Sequence, residues 1–128
     1  MIKVCVLASV LAMSCSPAFA EVTVSKFIPG YRCMSLNLTD AQMADPSVVV
    51  EIKSAPNASA PNIGTASAIV VTSSPLKVEN GYARVLHLNG KTGWIPVDDL
   101  RPWRAADGGK ATCVPAIMSN GRIGFDIH

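Results

Sequence analysis

The 128-residue chain is poor in the groups from which active centres are built. It holds two histidines, His87 and His128, and its aromatic rings are three Phe, two Tyr and two Trp. Lys3 is the one charged residue among the first twenty. Residues 21–128 therefore carry ten basic and nine acidic side chains, a formal charge of +1. No segment keeps apolar residues at the 3.6 period of an amphipathic helix, and no internal repeat is present. Each shortage excludes something. A near-neutral chain without a basic stripe lacks the electrostatic footprint of a nucleic-acid binder. His87 lies between Leu86 and Leu88 in a β-type run and reads as a solvated face residue. His128 is terminal, where fraying works against the positioning that catalysis needs. Asp98 and Asp99 are adjacent and would diverge in a strand, so they read as a polar turn rather than an acid–base pair.

The long apolar run is confined to the start. Lys3 precedes the nearly continuous apolar stretch Val4 to Ala12, Ser14 to Pro17 interrupts it, and Ala18-Phe19-Ala20 offers a small-x-small cleavage site. This is the pattern of a secretory signal peptide with the cut between Ala20 and Glu21. The run is short for a bilayer anchor, so no transmembrane segment is expected in the mature chain. A lipid anchor at Cys15 is the rival reading, but Ala12-Met13-Ser14 is a poor lipobox. The expected location is periplasmic or extracellular.

Removal of the leader leaves room for one small domain and two of the four cysteines, Cys33 and Cys113. In an exported chain two cysteines most simply form one disulfide. Closing a loop of about 80 residues in this way stabilises by roughly 4 kcal/mol on the chain-entropy view, a large share of a small domain's net stability. Zinc would need more ligands than His87 and His128 supply, and a thiol nucleophile would need a base that neither cysteine has nearby. No metal and no cofactor are expected.

The remaining signals are of the β kind. Glu21 to Ile28 alternates weakly and ends at Pro29-Gly30. Thr39 can cap a single helical turn that Asp45-Pro46 stops. Ser47 to Lys53 is β-branched and bounded by turn residues, whereas Ser54 to Asn62 is too rich in Pro, Asn, Ala and Ser for a regular element. Ile69 to Thr72 is a short strand. Tyr82 to Leu88 and Thr92 to Val97 flank Asn89-Gly90, which predicts a hairpin with a type I′ turn and positive φ at both central residues. Asp98 to Leu100 predicts one 3₁₀ turn. Pro115 to Met118 and Arg122 to Ile127 flank Ser119-Asn120-Gly121 and predict a second hairpin. The class is all-β.

Five of these pieces occur in a familiar order. Val50-Glu51-Ile52-Lys53-Ser54-Ala55-Pro56, Ile63-Gly64-Thr65, Gly81-Tyr82-Ala83-Arg84-Val85, Asn89-Gly90-Lys91-Thr92-Gly93-Trp94-Ile95 and Asp98-Asp99-Leu100 together resemble the bacterial SH3-like (SH3b) domain family. The resemblance covers about residues 47–104. It departs from the family at Ala55, where a turn glycine is usual, at Tyr82, where Trp is common, and after Thr65, where no glycine follows. The resemblance implies a small barrel with disulfide-linked extensions, residues 21–46 before it and 105–128 after it. It also implies a non-catalytic binding module of the cell envelope that recognises a cell-wall (peptidoglycan) peptide or an envelope protein. A structural protein–protein interaction subunit and a small wall hydrolase are the alternatives. Tyr82, Trp94 and Trp103 are the candidate ligand contacts beside the Ser54–Asn62 loop, since each pairs apolar area with a polar handle. For Trp94 the competing expectation, that its ring fills the interior of the barrel, is the stronger one. Trp103, between Arg101 and Arg104, is expected to be exposed.

Overall fold

The computed structural model describes residues 21–128, so the expected leader, residues 1–20, lies outside the described residues. Eleven strands are present: β1 (Val24–Phe27), β2 (Tyr31–Leu36), β3 (Glu51–Lys53), β4 (Asn62–Thr65), β5 (Ile69–Ser73), β6 (Val78–Glu79), β7 (Tyr82–Leu86), β8 (Thr92–Pro96), β9 (Leu100–Pro102), β10 (Cys113–Met118) and β11 (Ile123–Ile127). One helical turn, α1 (Asp40–Ala44), follows β2, and a 3₁₀ turn at Val97–Asp99 precedes β9. The capping box of α1 is complete. Thr39 Oγ1 accepts from the Gln42 amide at 3.1 Å, and Gln42 Oε1 accepts from the Thr39 amide at 2.9 Å. With five residues and Asp45-Pro46 behind it, this helix ends where the proline forbids it to continue.

The strands form two antiparallel sheets. A small sheet has the order β1-β10-β11, and a large one runs β4-β3-β8-β7-β5-β2-β9 with β6 paired to β7. The path of the large sheet is open. Strands β4 and β9 are its ends and do not pair with each other, so the closed small barrel expected from the sequence is not formed. Strand pairing crosses the expected boundary at residue 47. Strand β2, from the segment read as an N-terminal extension, lies between β5 and β9 inside the large sheet. Met34 and Leu36 are the reason. Both are buried among Val50, Ile52, Val70, Ala83, Val85, Ile95 and Leu100, so β2 supplies part of the one hydrophobic core.

Alternation along β2 and β5 gives this part of the sheet two covered faces. Met34 and Val70 point into the core, and the period of two turns Cys33 and Val71 to the opposite side, where they pair across the strands. Val71 is nevertheless 1% exposed. The small sheet accounts for this cover: β10 lies against β2, its Pro115 and Ala116 are fully buried, and Cys113 at its start is disulfide-bonded to Cys33 with 5.9 Å between the Cα atoms. The disulfide is therefore present between the two terminal segments, and because Cys33 lies on β2 it fastens the small sheet to the large one near its β9 end.

The three Asn-Gly pairs resolve into two kinds of turn. Asn80 and Gly81 have φ of 52° and 79° and form a two-residue type I′ connection between β6 and β7, with Glu79 opposite Tyr82. At Asn89-Gly90 only the glycine has positive φ. There the Gly90 amide donates to the His87 carbonyl and the His87 amide to the Lys91 carbonyl, both at 2.8 Å. That is a longer loop with a bulge at glycine, not the type I′ turn expected. The β10–β11 hairpin repeats the arrangement, with Gly121 donating to the Met118 carbonyl and Met118 to that of Arg122.

One polar atom stands out in the interior. Thr72 is 0% exposed, and its Oγ1 has no hydrogen-bond partner among the described residues. A buried hydroxyl without a partner keeps its desolvation cost uncompensated, so Thr72→Val should leave stability unchanged or raise it by about 1 kcal/mol. Urea unfolding checks this, with the midpoint expected to hold or move upward; a marked fall would mean that the hydroxyl is satisfied.

Candidate binding face

The outward face of β3, β8 and β7 is created by what those strands turn inward. Ala83, Val85 and Ile95 are all 0% exposed, and Gly93 is buried beside them. The period of two then places Tyr82, Arg84 and Leu86 on the outer side of β7, and Thr92, Trp94 and Pro96 on the outer side of β8. Trp94 is half-buried there. The interior expected for its ring is already filled by Ile95, so Trp94 is a surface residue of this sheet and not core.

Register decides its neighbours. Arg84 stands opposite Trp94 on one side and Lys53 on the other, and Tyr82 stands opposite Pro96. Residues directly opposite in antiparallel strands share a face with Cβ atoms about 5 Å apart. An indole thus lies in a row between two cations, with a tyrosine on the diagonal. The Lys53 ammonium meets Glu51 Oε1 at 3.3 Å. The Glu51 carboxyl is held below the ordinary glutamate range, first by a hydrogen bond from the Asn62 side chain and then by Lys53. Arg84 has no carboxylate partner among the described residues, which leaves its guanidinium free beside the indole.

The long loop borders this face. Its ends are closed by a bond from the Ser54 amide to the Pro61 carbonyl at 2.9 Å, and Ser59 Oγ donates to Asn57 Oδ1 at 2.9 Å. One side-chain bond ties it to the sheet: Asn80 Nδ2 donates to the Pro56 carbonyl at 2.9 Å, two residues ahead of Tyr82. The sequence showed the loop but not the tie.

Trp103 stands apart from the other two rings. It is half-buried rather than exposed, and it lines a cleft of about 340 Å³ with Arg32, Met34, Ala111 and both cysteines of the disulfide. The arginines near Trp103 and in the β10–β11 hairpin lie in separate places. Arg101 and Arg104 line a cleft of about 560 Å³ beside Asp40 and Met43, whereas Arg122 lines a different one with Leu88, Asn89 and Ile123.

His87 is more than the solvated residue expected. Its Nδ1 accepts from the Asn89 amide at 3.0 Å, and its ring covers Gly64 so closely that a Cβ there would collide with it. It pins the β7–β8 turn over β4. Asp98 is exposed and Asp99 half-buried in the 3₁₀ turn, and both backbone carbonyls accept from Asn37.

No family model, curated protein or solved structure matches this chain. The resemblance to SH3-like domains therefore stays with the residues that carry it.

The geometry of the face depends on Gly93. A Cβ at this position would press on the Ile52 and Ile63 side chains and stand 2.9 Å from the Lys53 carbonyl, a backbone atom that cannot turn aside. Gly93→Ala should cost about 2–3 kcal/mol through overpacking and shift Trp94 with it. A lowered unfolding midpoint with a changed tryptophan emission is expected; wild-type stability would show that β8 has slack the packing does not suggest.

Proposed function

We propose that this protein is an exported, non-catalytic binding module of the bacterial cell envelope, SH3-like in kind, that holds a cell-wall peptide or an envelope protein against the outer face of β3, β8 and β7. The observation that carries this reading is the placement of Trp94 outside the core between Arg84 and Lys53, with Tyr82 and the Ser54–Pro61 loop alongside. A half-buried indole flanked by cations offers apolar area to a peptide backbone and positive charge to its carboxylates. Arg and aromatic residues of this kind are the ones that dominate binding energies. Export rests on the leader pattern and agrees with the disulfide. Cys33 and Cys113 are held in that bond, and Asp98 and Asp99 are neighbours in a turn whose carbonyls bind Asn37, so adhesion accounts for the chain better than wall hydrolysis does.

A second reading, an accessory subunit that binds another envelope protein by strand addition, draws on the open ends of the large sheet. Strands β4 and β9 each have a neighbour on one side only. Such edges accept an added strand through main-chain hydrogen bonds.

Cosedimentation with purified peptidoglycan, run beside a pull-down from envelope protein extract, separates the two. Wild-type protein should sediment with peptidoglycan. Trp94→Ala should lose about thirtyfold in affinity if the indole is a central anchor, and Trp103→Ala should bind as wild type. Equal binding by folded Trp94→Ala would refute the assignment of the face. Binding only to envelope protein, insensitive to Trp94, would favour strand addition.

A further inference from the structure

The chain carries three Asn-Gly pairs, at 80–81, 89–90 and 120–121, and the fold treats one of them differently. Asn-Gly is the dipeptide most open to spontaneous deamidation, because glycine has no Cβ to hinder attack by its own amide nitrogen on the preceding carboxamide. In that reaction the glycine nitrogen bonds to Asn Cγ and the Cγ–Nδ2 bond breaks. Ammonia leaves with the proton that the glycine nitrogen has lost. Water then opens the resulting succinimide, giving aspartate when it attacks Cγ and isoaspartate when it attacks the main-chain carbonyl. One water enters and one ammonia departs. The step needs a glycine amide that is not otherwise engaged and a carboxamide free to turn toward it.

Asn89 and Asn120 fail both conditions. The amides of Gly90 and Gly121 donate to the His87 and Met118 carbonyls, each at 2.8 Å. The carboxamide oxygens are fixed on the far side of the turn, where Asn89 Oδ1 accepts from the Lys91 amide at 2.8 Å and Asn120 Oδ1 from the Arg122 amide at 3.0 Å. Asn80 meets both. In the two-residue turn the Gly81 amide donates to no backbone carbonyl among the described residues, while the Gly81 carbonyl accepts from Val97. Among the described residues Asn80 Oδ1 accepts no hydrogen bond and the carboxamide has one restraint, the bond from Nδ2 to the Pro56 carbonyl; Asn80 and Gly81 are both exposed.

We propose that Asn80 is the deamidation site of the folded protein and that its conversion releases the Ser54–Pro61 loop. The loss of Nδ2 removes the donor that holds the Pro56 carbonyl. The carboxylate left in its place can only accept, so two oxygens face each other where a hydrogen bond stood. In the aspartate product the sheet is untouched, since Asp and Asn both tolerate the left-handed turn position, whereas the isoaspartate product adds a carbon to the main chain and disturbs the turn itself. The chemistry is slow and irreversible, and it would act as an age mark on the loop that borders Tyr82.

The test is a peptide map by mass spectrometry after incubation of the folded, oxidised protein in mildly alkaline buffer. Aspartate and isoaspartate at position 80 should accumulate roughly tenfold or more ahead of positions 89 and 120, since each of those must first break two hydrogen bonds. In urea with the disulfide reduced, the three rates should converge. Conversion at 89 or 120 as fast as at 80 in the folded protein would overturn the proposal, and so would an Asn80 that converts only when unfolded. Amide exchange tests the consequence: Asn80→Asp should speed exchange at Ser54, Asn57 and Ala60, and Asn89→Asp should not. Unchanged protection in Asn80→Asp would refute loop release.

Discussion

The constraint on which the rest of this structure depends is the inward set of β7 and β8. Ala83, Val85 and Ile95 are without any solvent exposure, and Gly93 leaves the gap that Ile52 and Ile63 occupy. A strand has two faces and a period of two, so filling one face with these residues leaves no freedom in what appears on the other. Tyr82, Arg84 and Trp94 are displayed because their sequence neighbours are needed inside. Core and candidate site are thus the two sides of one decision. A slip of one residue in β8 would turn the indole inward, away from the two cations, and send Ile95 out to solvent.

The second sheet extends the same logic. At β5 and β2 of the large sheet both faces are covered, one by the common core and one by β10 with its buried Pro115 and Ala116. The disulfide sits at that second contact, between Cys33 and Cys113. It fixes the place where a three-stranded sheet, too small to bury much apolar area alone, lies on a larger one. The cover reaches β2 and β5, where Cys33 and Val71 are buried. It leaves Trp94 and Tyr82, on β8 and β7, with part of their rings exposed.

Local chemistry was legible where a few adjacent residues decide the outcome. Thr39 caps the helical turn, Asp45-Pro46 stops it, and Ser119-Asn120-Gly121 joins two paired strands. The cysteine pairing followed from there being two partners in the described chain. What could not be read depends on distance or on length. Tyr31 to Leu36 looks no more strand-like than its surroundings, and only its pairing with β5 and β9 makes it part of the large sheet. Asn-Gly suits both a two-residue type I′ turn and a longer loop with a glycine bulge, and the count of residues between paired positions chooses. At Asn80-Gly81 that count was hidden because β6 is two residues long. Trp94 was misplaced for a related reason. Its size argued for the interior, but the interior position belongs to Ile95, and a strand cannot send consecutive side chains the same way.

The candidate site was half legible. Tyr82 and Trp94 do share a face, while Trp103 belongs to a cleft beside the disulfide. Arg84 and Lys53, which give the face its charge, entered only through register. The outward placement of Trp94 is the claim on which the functional account stands, and fluorescence quenching measures it most directly. In a Trp103→Phe background the single remaining tryptophan reports on Trp94 alone. The account predicts that acrylamide quenches its emission readily in the folded protein; emission as shielded from the quencher as that of a core residue would contradict it.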